Sequence, residues 1–244
     1  MINKVLVQII AILLLSSTLF GSDLYEDYMY KDEMLKNGKM IYQNTCVSCH
    51  GKSGESNSKI KLVVKPRKLN KTILTPEQSF KIIRDGAHTW GANSDMMPTF
   101  KYVLDDDAIR DVTFYITQAF NSKRDERVTK LLKESDVITK EDEVKMLEVG
   151  KSIFMKKCSA CHGTKGNGKS EYISKSKLSG KLIYPYNLTK TLLDESQIFL
   201  YAKYGGYFWG TNQKNINSCN ENYTDIELKS VAKYVNEKIK KKQE

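Results

Sequence analysis

Apolar residues recur at helical spacing in two stretches that resemble each other. Leu35, Ile41 and Tyr42, with Gly38 and Lys39 among them, predict one short helix. Leu147, Ile153 and Phe154, with Gly150 and Lys151, predict a second at the same internal spacing. Further along, Ile109, Val112, Ile116, Ala119 and Phe120 line one side of a predicted helix that opens on Asp105, Asp106 and Asp107. Its counterpart is predicted by Val231, Tyr234, Val235, Lys238 and Ile239, with Thr224 and Glu227 as a capping box. The highly charged stretch between them, 121 to 136, predicts a linker or an exposed helix. Thr139 with Asp142 then predicts the cap of the helix that follows.

These helices belong to an internal repeat. Pro66, Leu69, Thr72, Leu74, Gln78, Phe80, Gly86, Trp90 and Gly91 pair in order with Pro185, Leu188, Thr191, Leu193, Gln197, Phe199, Gly205, Trp209 and Gly210, at a constant offset of 119 residues. The earlier pairs, Gly38 with Gly150 and Tyr42 with Phe154, are offset by 112. The second copy therefore carries a short insertion, expected in the Gly- and Ser-rich loop from Gly163 to Gly180. A chain of 244 residues accommodates two such units. The expected boundaries are a leader over 1–21, a first domain over 22–122, a charged linker over 123–139 and a second domain over 140–244.

Each copy carries Cys-x-x-Cys-His followed by glycine: Cys46, Cys49 and His50 before Gly51, then Cys158, Cys161 and His162 before Gly163. Two thiols three positions apart can add to the two vinyl groups of one haem. The adjacent histidine is then held beneath the iron. This is the signature of c-type haem attachment. Other uses of the cysteines fit less well. A thioredoxin-like redox pair needs no histidine after it. Zinc ribbons place their pairs about 15–20 residues apart, far closer than Cys46 and Cys158. Five cysteines are too sparse for a disulfide scaffold of this length. The motifs predict two covalently bound haem c groups, with Cys46, Cys49, Cys158 and Cys161 as attachment residues and His50 and His162 as iron ligands.

The haem motifs, the Gly-x-x-x-aromatic helix (Gly38/Tyr42, Gly150/Phe154) and a closing helix with an inward aromatic (Tyr115, Tyr234) resemble class I cytochrome c domains in tandem. The resemblance covers both halves. It implies a small all-α fold wrapped round each haem, with first and last helices crossing closely at the glycine. In that family the second axial ligand is usually a methionine before a proline. The first copy has Met97 before Pro98, which implies Met97 as ligand, with Met96 in reserve. His88, the one histidine outside the motifs, is expected in a wall or at the surface. The second copy breaks the pattern, because Met96, Met97 and Pro98 align with Asn215, Ile216 and Asn217. Donors nearby are Cys219, Lys214 and Tyr207. The second iron is therefore left three alternatives: Cys219 thiolate, an open or water-bound site, or lysine or another donor.

Charge and leader complete the reading. Lys4, an apolar run from Val5 to Leu15 and small residues up to Gly21 predict a secretory signal peptide. The run is shorter than the roughly 20 residues a membrane span prefers, so no span is expected after cleavage. Export to the periplasm of a Gram-negative type cell agrees with haem c, which is attached outside the cytoplasm. A hydrophobic fraction of 40% suits soluble domains, and the net charge of +10 suits docking to redox partners with acidic surfaces rather than to nucleic acid. The expected function is a periplasmic di-haem electron carrier. The alternative is an oxidoreductase with a catalytic second haem, thiosulfate-dehydrogenase-like or peroxidase-like. A haem-based gas sensor is a further, non-catalytic alternative that also needs an open second iron.

Overall fold

The computed structural model describes residues 29–57, 60, 62, 64–92, 97–134, 143–170, 174–175, 182–211 and 222–241. The predicted leader, the Thr139–Asp142 cap, Met96, Lys214 and Cys219 lie outside the described residues. The fold is all-α but for one two-residue antiparallel pair.

Helix α1 covers 29–41 and runs into a π-turn, Tyr42–Cys46, and the short α2, Val47–His50. A 3-10 turn, Leu69–Lys71, precedes α3, Pro76–Asp85, and α4, Asp106–Asn121, closes the first domain. Helix α5, Arg124–Lys133, joins it to α6, Glu143–Ile153, which opens the second domain. A π-turn, Phe154–Cys158, and α7, Ser159–His162, then repeat the first domain's entry to its haem motif. A 3-10 turn, Leu188–Lys190, leads to α8, Glu195–Phe208, and α9, Asp225–Tyr234, ends in a π-turn, Val235–Ile239.

The expected glycine crossings are present. A Cβ on Gly38 would stand 2.1 Å from the Asp111 carbonyl oxygen, and one on Gly150 2.0 Å from that of Ser230. Only hydrogen fits there, so α1 packs on α4 and α6 on α9 backbone to backbone. Beside each crossing an aromatic pair seals the core: Tyr42 with Tyr115 at 5.6 Å and Phe154 with Tyr234 at 5.5 Å between ring centroids.

The insertion falls later in its loop than the motif glycine. Gly163, Gly166 and Gly168 reproduce the backbone bonds of Gly51, Gly54 and Ser56, down to the N–H of Gly168 and of Ser56 donating to the carbonyl of the motif histidine. Ser56 has φ 59°, a conformation that costs Gly168 nothing and that Ser56 holds with a 2.6 Å bond from its hydroxyl to the Pro66 carbonyl. The seven extra residues of the second copy fall between Gly168 and Pro185, the stretch in which Ser174–Lys175 pairs with Leu182–Ile183.

The charged linker differs from expectation. Helix α5 is amphipathic. Val128 is buried in the second domain's core, with Leu131 and Leu132 packed against it. Its other contacts reach the first domain, where Arg124 Nε donates to the Ile73 carbonyl at 2.9 Å and an Arg127 Nη to that of Thr72 at 3.1 Å. Arg127 also stands over the Trp209 ring at 5.9 Å. The segment is a bolt between domains rather than a spacer.

The domains meet across a pseudo-two-fold axis. Gln78 and Gln197 donate to each other's side-chain oxygen at 2.8 and 2.9 Å. Each also donates across the interface, Gln78 to the Leu192 carbonyl at 2.8 Å and Gln197 to the Ile73 carbonyl at 3.0 Å. The same glutamines are the third residues of α3 and α8, where each closes a capping box with Thr75 or Asp194. Further out, the N–H of Lys68 donates to the Gly210 carbonyl and that of Asn187 to the Gly91 carbonyl, both at 2.9 Å. Every one of these pairs maps onto its mate through the repeat offset, so the interface is isologous within one chain.

Candidate haem-binding sites

Both motifs have the same local build. The helix carrying Gly38 or Gly150 widens into a π-turn that ends on the first cysteine, and the motif finishes as one helical turn closed by a glycine at φ 75° or 76°. π-Turns of this kind mark places where a side chain is re-aimed for function. Cys46 packs on the first core cluster and Cys158 on the second. No disulfide joins Cys46, Cys49, Cys158 or Cys161. Burial, with the neighbouring Cys49, pushes the Cys46 thiol up to about 11, so it keeps its proton at neutral pH.

Burial lowers the pKa of both motif histidines, which holds them as neutral imidazoles, the form that ligates a metal. His162 Nδ1 donates to the Tyr186 carbonyl at 2.8 Å. That bond fixes the tautomer and leaves Nε2 with a free lone pair. The equivalent backbone in the first domain, that of Arg67, also hydrogen-bonds His50, but the bond at the buried Nδ1 is poorly formed beside the 2.8 Å bond of His162. The two sites thus differ at the proximal side as well as in sequence at the distal side.

Met97 packs against the first core cluster, the one that also takes Cys46, Val47 and Phe100. Its carbonyl accepts from the Ala87 N–H at 3.0 Å, which closes the loop leading from α3. A Cβ on Gly86 would stand 2.9 Å from the Thr99 nitrogen and 3.3 Å from the Met97 oxygen, so the glycine lets this loop fold back on itself. His88 is exposed, with Nδ1 3.3 Å from the Ala92 carbonyl, in keeping with a surface residue. Tyr207 is 57% exposed. The second domain's distal segment around Cys219 is outside the described residues. Thiols beside an apolar core, neutral buried histidines and a thioether on the same core as Cys46 make a donor set that fits haem c.

Sequence reasoning paired Gln78 with Gln197 in the repeat but did not see that they touch. It passed over Arg67, Tyr186 and Tyr201. The Arg67 guanidinium donates to the Tyr201 hydroxyl and stands 5.4 Å from that ring's centroid. The Tyr186 hydroxyl donates to the Trp90 carbonyl of the other domain. Arg67 and Tyr186 occupy equivalent repeat positions with different chemistry, and no local pattern announces that.

Comparison with known proteins agrees with this geometry. The family cytochrome c oxidase, cbb3-type, subunit III matches residues 33–116, and the family cytochrome c matches residues 147–237. No curated protein matches the chain. Among solved structures, the chain is similar to one from the Kuenenia stuttgartiensis reducing HAO-like protein complex, at 19% identity and a TM-score of 0.43, over 82% of this chain and 94% of that one. No described helix is long and apolar enough to cross a membrane. Two cytochrome c-type domains, each with its Cys-x-x-Cys-His motif, stand in tandem, and the chain belongs to the di-haem c-type cytochromes with two covalently bound haem c groups.

Proposed function

We infer that the protein is a periplasmic one-electron carrier whose two haem sites differ in potential. The haem supplies an iron that cycles between ferrous and ferric, while the protein sets its orientation and electronics. Cys46 and Cys49 would hold the first haem, with His50 and Met97 as the donors to its iron. Cys158, Cys161 and His162 hold the second. The Arg67 guanidinium, desolvated by its surroundings and donating to the Tyr201 hydroxyl, suits the anionic propionate edge of a haem. The observation that carries the reading is Met97 on the same apolar cluster as Cys46, with Met97 absent from the second copy's pattern. A thioether ligand raises a haem's potential, so the first site is the higher one. The basic net charge of +10 supports docking to acidic surfaces of electron donors and acceptors.

A second reading has a specific observation behind it. Cys219 is the fifth cysteine and lies near the position where the second copy lacks methionine. Its thiolate on the second iron would lower that potential and favour oxidoreductase chemistry on a small sulfur compound. Low-temperature electron paramagnetic resonance of the oxidised protein tests both. One His/Met-type low-spin signal beside a second low-spin signal from a nitrogen ligand supports the carrier. A thiolate-type signal that disappears in Cys219→Ala supports the second reading. A high-spin half of the iron means an open second site.

A further inference from the structure

One run of hydrogen bonds leaves the second domain's proximal histidine and ends in the first domain's methionine loop. His162 Nδ1–H donates to the Tyr186 carbonyl at 2.8 Å. The same peptide group, through the N–H of Asn187, donates to the Gly91 carbonyl at 2.9 Å. The peptide of Gly91, through the N–H of Ala92, donates to the Ala87 carbonyl at 3.1 Å. Ala87 in turn uses its own N–H to hold the Met97 carbonyl at 3.0 Å. The first three bonds point the same way through successive peptide groups, the arrangement in which each bond polarises and strengthens the next.

The junction is close-fitting. A Cβ on Gly91 would stand 2.3 Å from the Asn187 carbonyl oxygen, and the Tyr186 hydroxyl holds the adjacent Trp90 carbonyl. The mirror run exists too, from Arg67 through the Lys68 N–H to Gly210, and from the Thr211 N–H to the Gly206 carbonyl at 3.0 Å. Its first link, from His50 Nδ1 to the Arg67 backbone, is poorly formed. Among the described residues, the run from His162 to the Met97 loop is the one that can be followed from histidine to distal loop, since position 216, the counterpart of Met97, lies outside them.

We propose that this run is a redox-coupling device, through which the oxidation state of the second haem site adjusts the methionine-bearing loop, and hence the potential, of the first. The inference rests on the assignment of His162 and Met97 as ligands made above. When the second site gives up an electron to a mediator, the His162 imidazole becomes electron-poorer and its Nδ1–H a stronger donor. No bond breaks and the proton stays on Nδ1. The polarised peptides carry that change to Gly91 and Ala87 as a small positive field at the first site. This disfavours the ferric state there and raises the first site's potential. By linkage, reduction of the first site makes the second harder to reduce. Charge repulsion between two irons acts in the same direction, so the test must separate the two.

Asn187 allows that separation. Its φ is −78°, which proline accepts, and Asn187→Pro removes the linking N–H, while the ring carbon that replaces the hydrogen pushes the Gly91 carbonyl back from its 2.9 Å contact. It also removes the side chain that accepts from the Thr189 N–H at 3.0 Å. Asn187→Ala loses that side chain alone and is the control. The experiment is a spectroelectrochemical titration of the holoprotein that resolves both haems. The first haem's midpoint is compared with the second oxidised and with the second reduced. The expected result is that this difference narrows in Asn187→Pro but not in Asn187→Ala. An equal difference in the two variants overturns the coupling. The native protein gives an independent readout, since amide hydrogen exchange at Asn187 and Ala92 should be slower in the fully oxidised than in the fully reduced form. Equal exchange in the two forms overturns the proposal even if Asn187→Pro fails to fold. Haem content and the thioether-to-iron charge-transfer band are recorded first. One haem per chain, or no thioether band, overturns the ligand assignment itself and the coupling with it. Two haems with the band present, but no narrowing, sinks the coupling alone.

Discussion

The two domains share a scaffold and differ where the chemistry is set. Both cross two helices at a glycine, enter the motif through a π-turn and hold a tryptophan whose indole N–H donates to a helix carbonyl nine residues back, Trp90 to Lys81 at 3.1 Å and Trp209 to Leu200 at 3.0 Å. Against that common frame, His162 is anchored by a well-formed hydrogen bond and His50 by a poorer one. Met97 stands in the first domain where the second has Ile216. Arg67 in one faces the role that Tyr186 has in the other. The two copies agree in what packs the core and differ in residues beside the haem motifs.

The largest effect that tests this division is loss of a cofactor. Cys161→Ser is expected to remove covalent attachment in the second domain alone, and Cys49→Ser in the first alone, so that each variant keeps one haem by pyridine haemochrome assay. Loss of both from either change would show that the domains do not load independently. Next comes Met97→Ala, which should abolish the thioether-to-iron band and lower the first haem's potential by on the order of 0.1 V, within the ~0.8 V that axial ligands span. The second haem's spectrum should not move. An unchanged first spectrum would shift the ligand to Met96 or His88.

Smaller effects probe the shared frame. Gly38→Ala and Gly150→Ala each force a Cβ into a carbonyl, at 2.1 and 2.0 Å, and are expected to cost about 1–3 kcal/mol in denaturant midpoint analysis. Similar costs would confirm equal crossings, and a cheap Gly38→Ala would show the first to be more yielding. The smallest effect is that of pH. Both histidines have folded pKa values below the usual 6.5 because they are buried. Below pH ~6.5 the unfolded chain therefore binds protons that the folded chain refuses, and stability falls as pH falls, by at most ~1.4 kcal/mol per pH unit for each histidine. Iron on Nε2 acts in the same direction. Denaturant midpoints between pH 7 and 5 check this, and a flat profile would mean the histidines titrate normally in the folded protein.

Much of this was legible beforehand. The motifs and the repeat are read directly from residue identity and spacing, and the glycine crossings from the resemblance that the Gly-x-x-x-aromatic helices carry. The insertion was bracketed too broadly, since a Ser56 held at positive φ hides its equivalence to Gly168. The linker was read from its charge, and three apolar residues among ten gave too weak a period to reveal that Val128 is buried in the second domain's core.

By itself the sequence determined that two haems bind, where each attaches and which copy offers a methionine. These are facts of spacing and side-chain chemistry. Only the tertiary structure decided how the units face each other. Gln78 meeting Gln197, Asn187 meeting Gly91 and Tyr186 reaching Trp90 join residues about a hundred positions apart through backbone groups and common polar side chains. Every residue but proline carries the same N–H and C=O, so no spacing in the chain encodes which will pair. The pairing emerges when two apolar cores, each folded on its own pattern, bring their loops together.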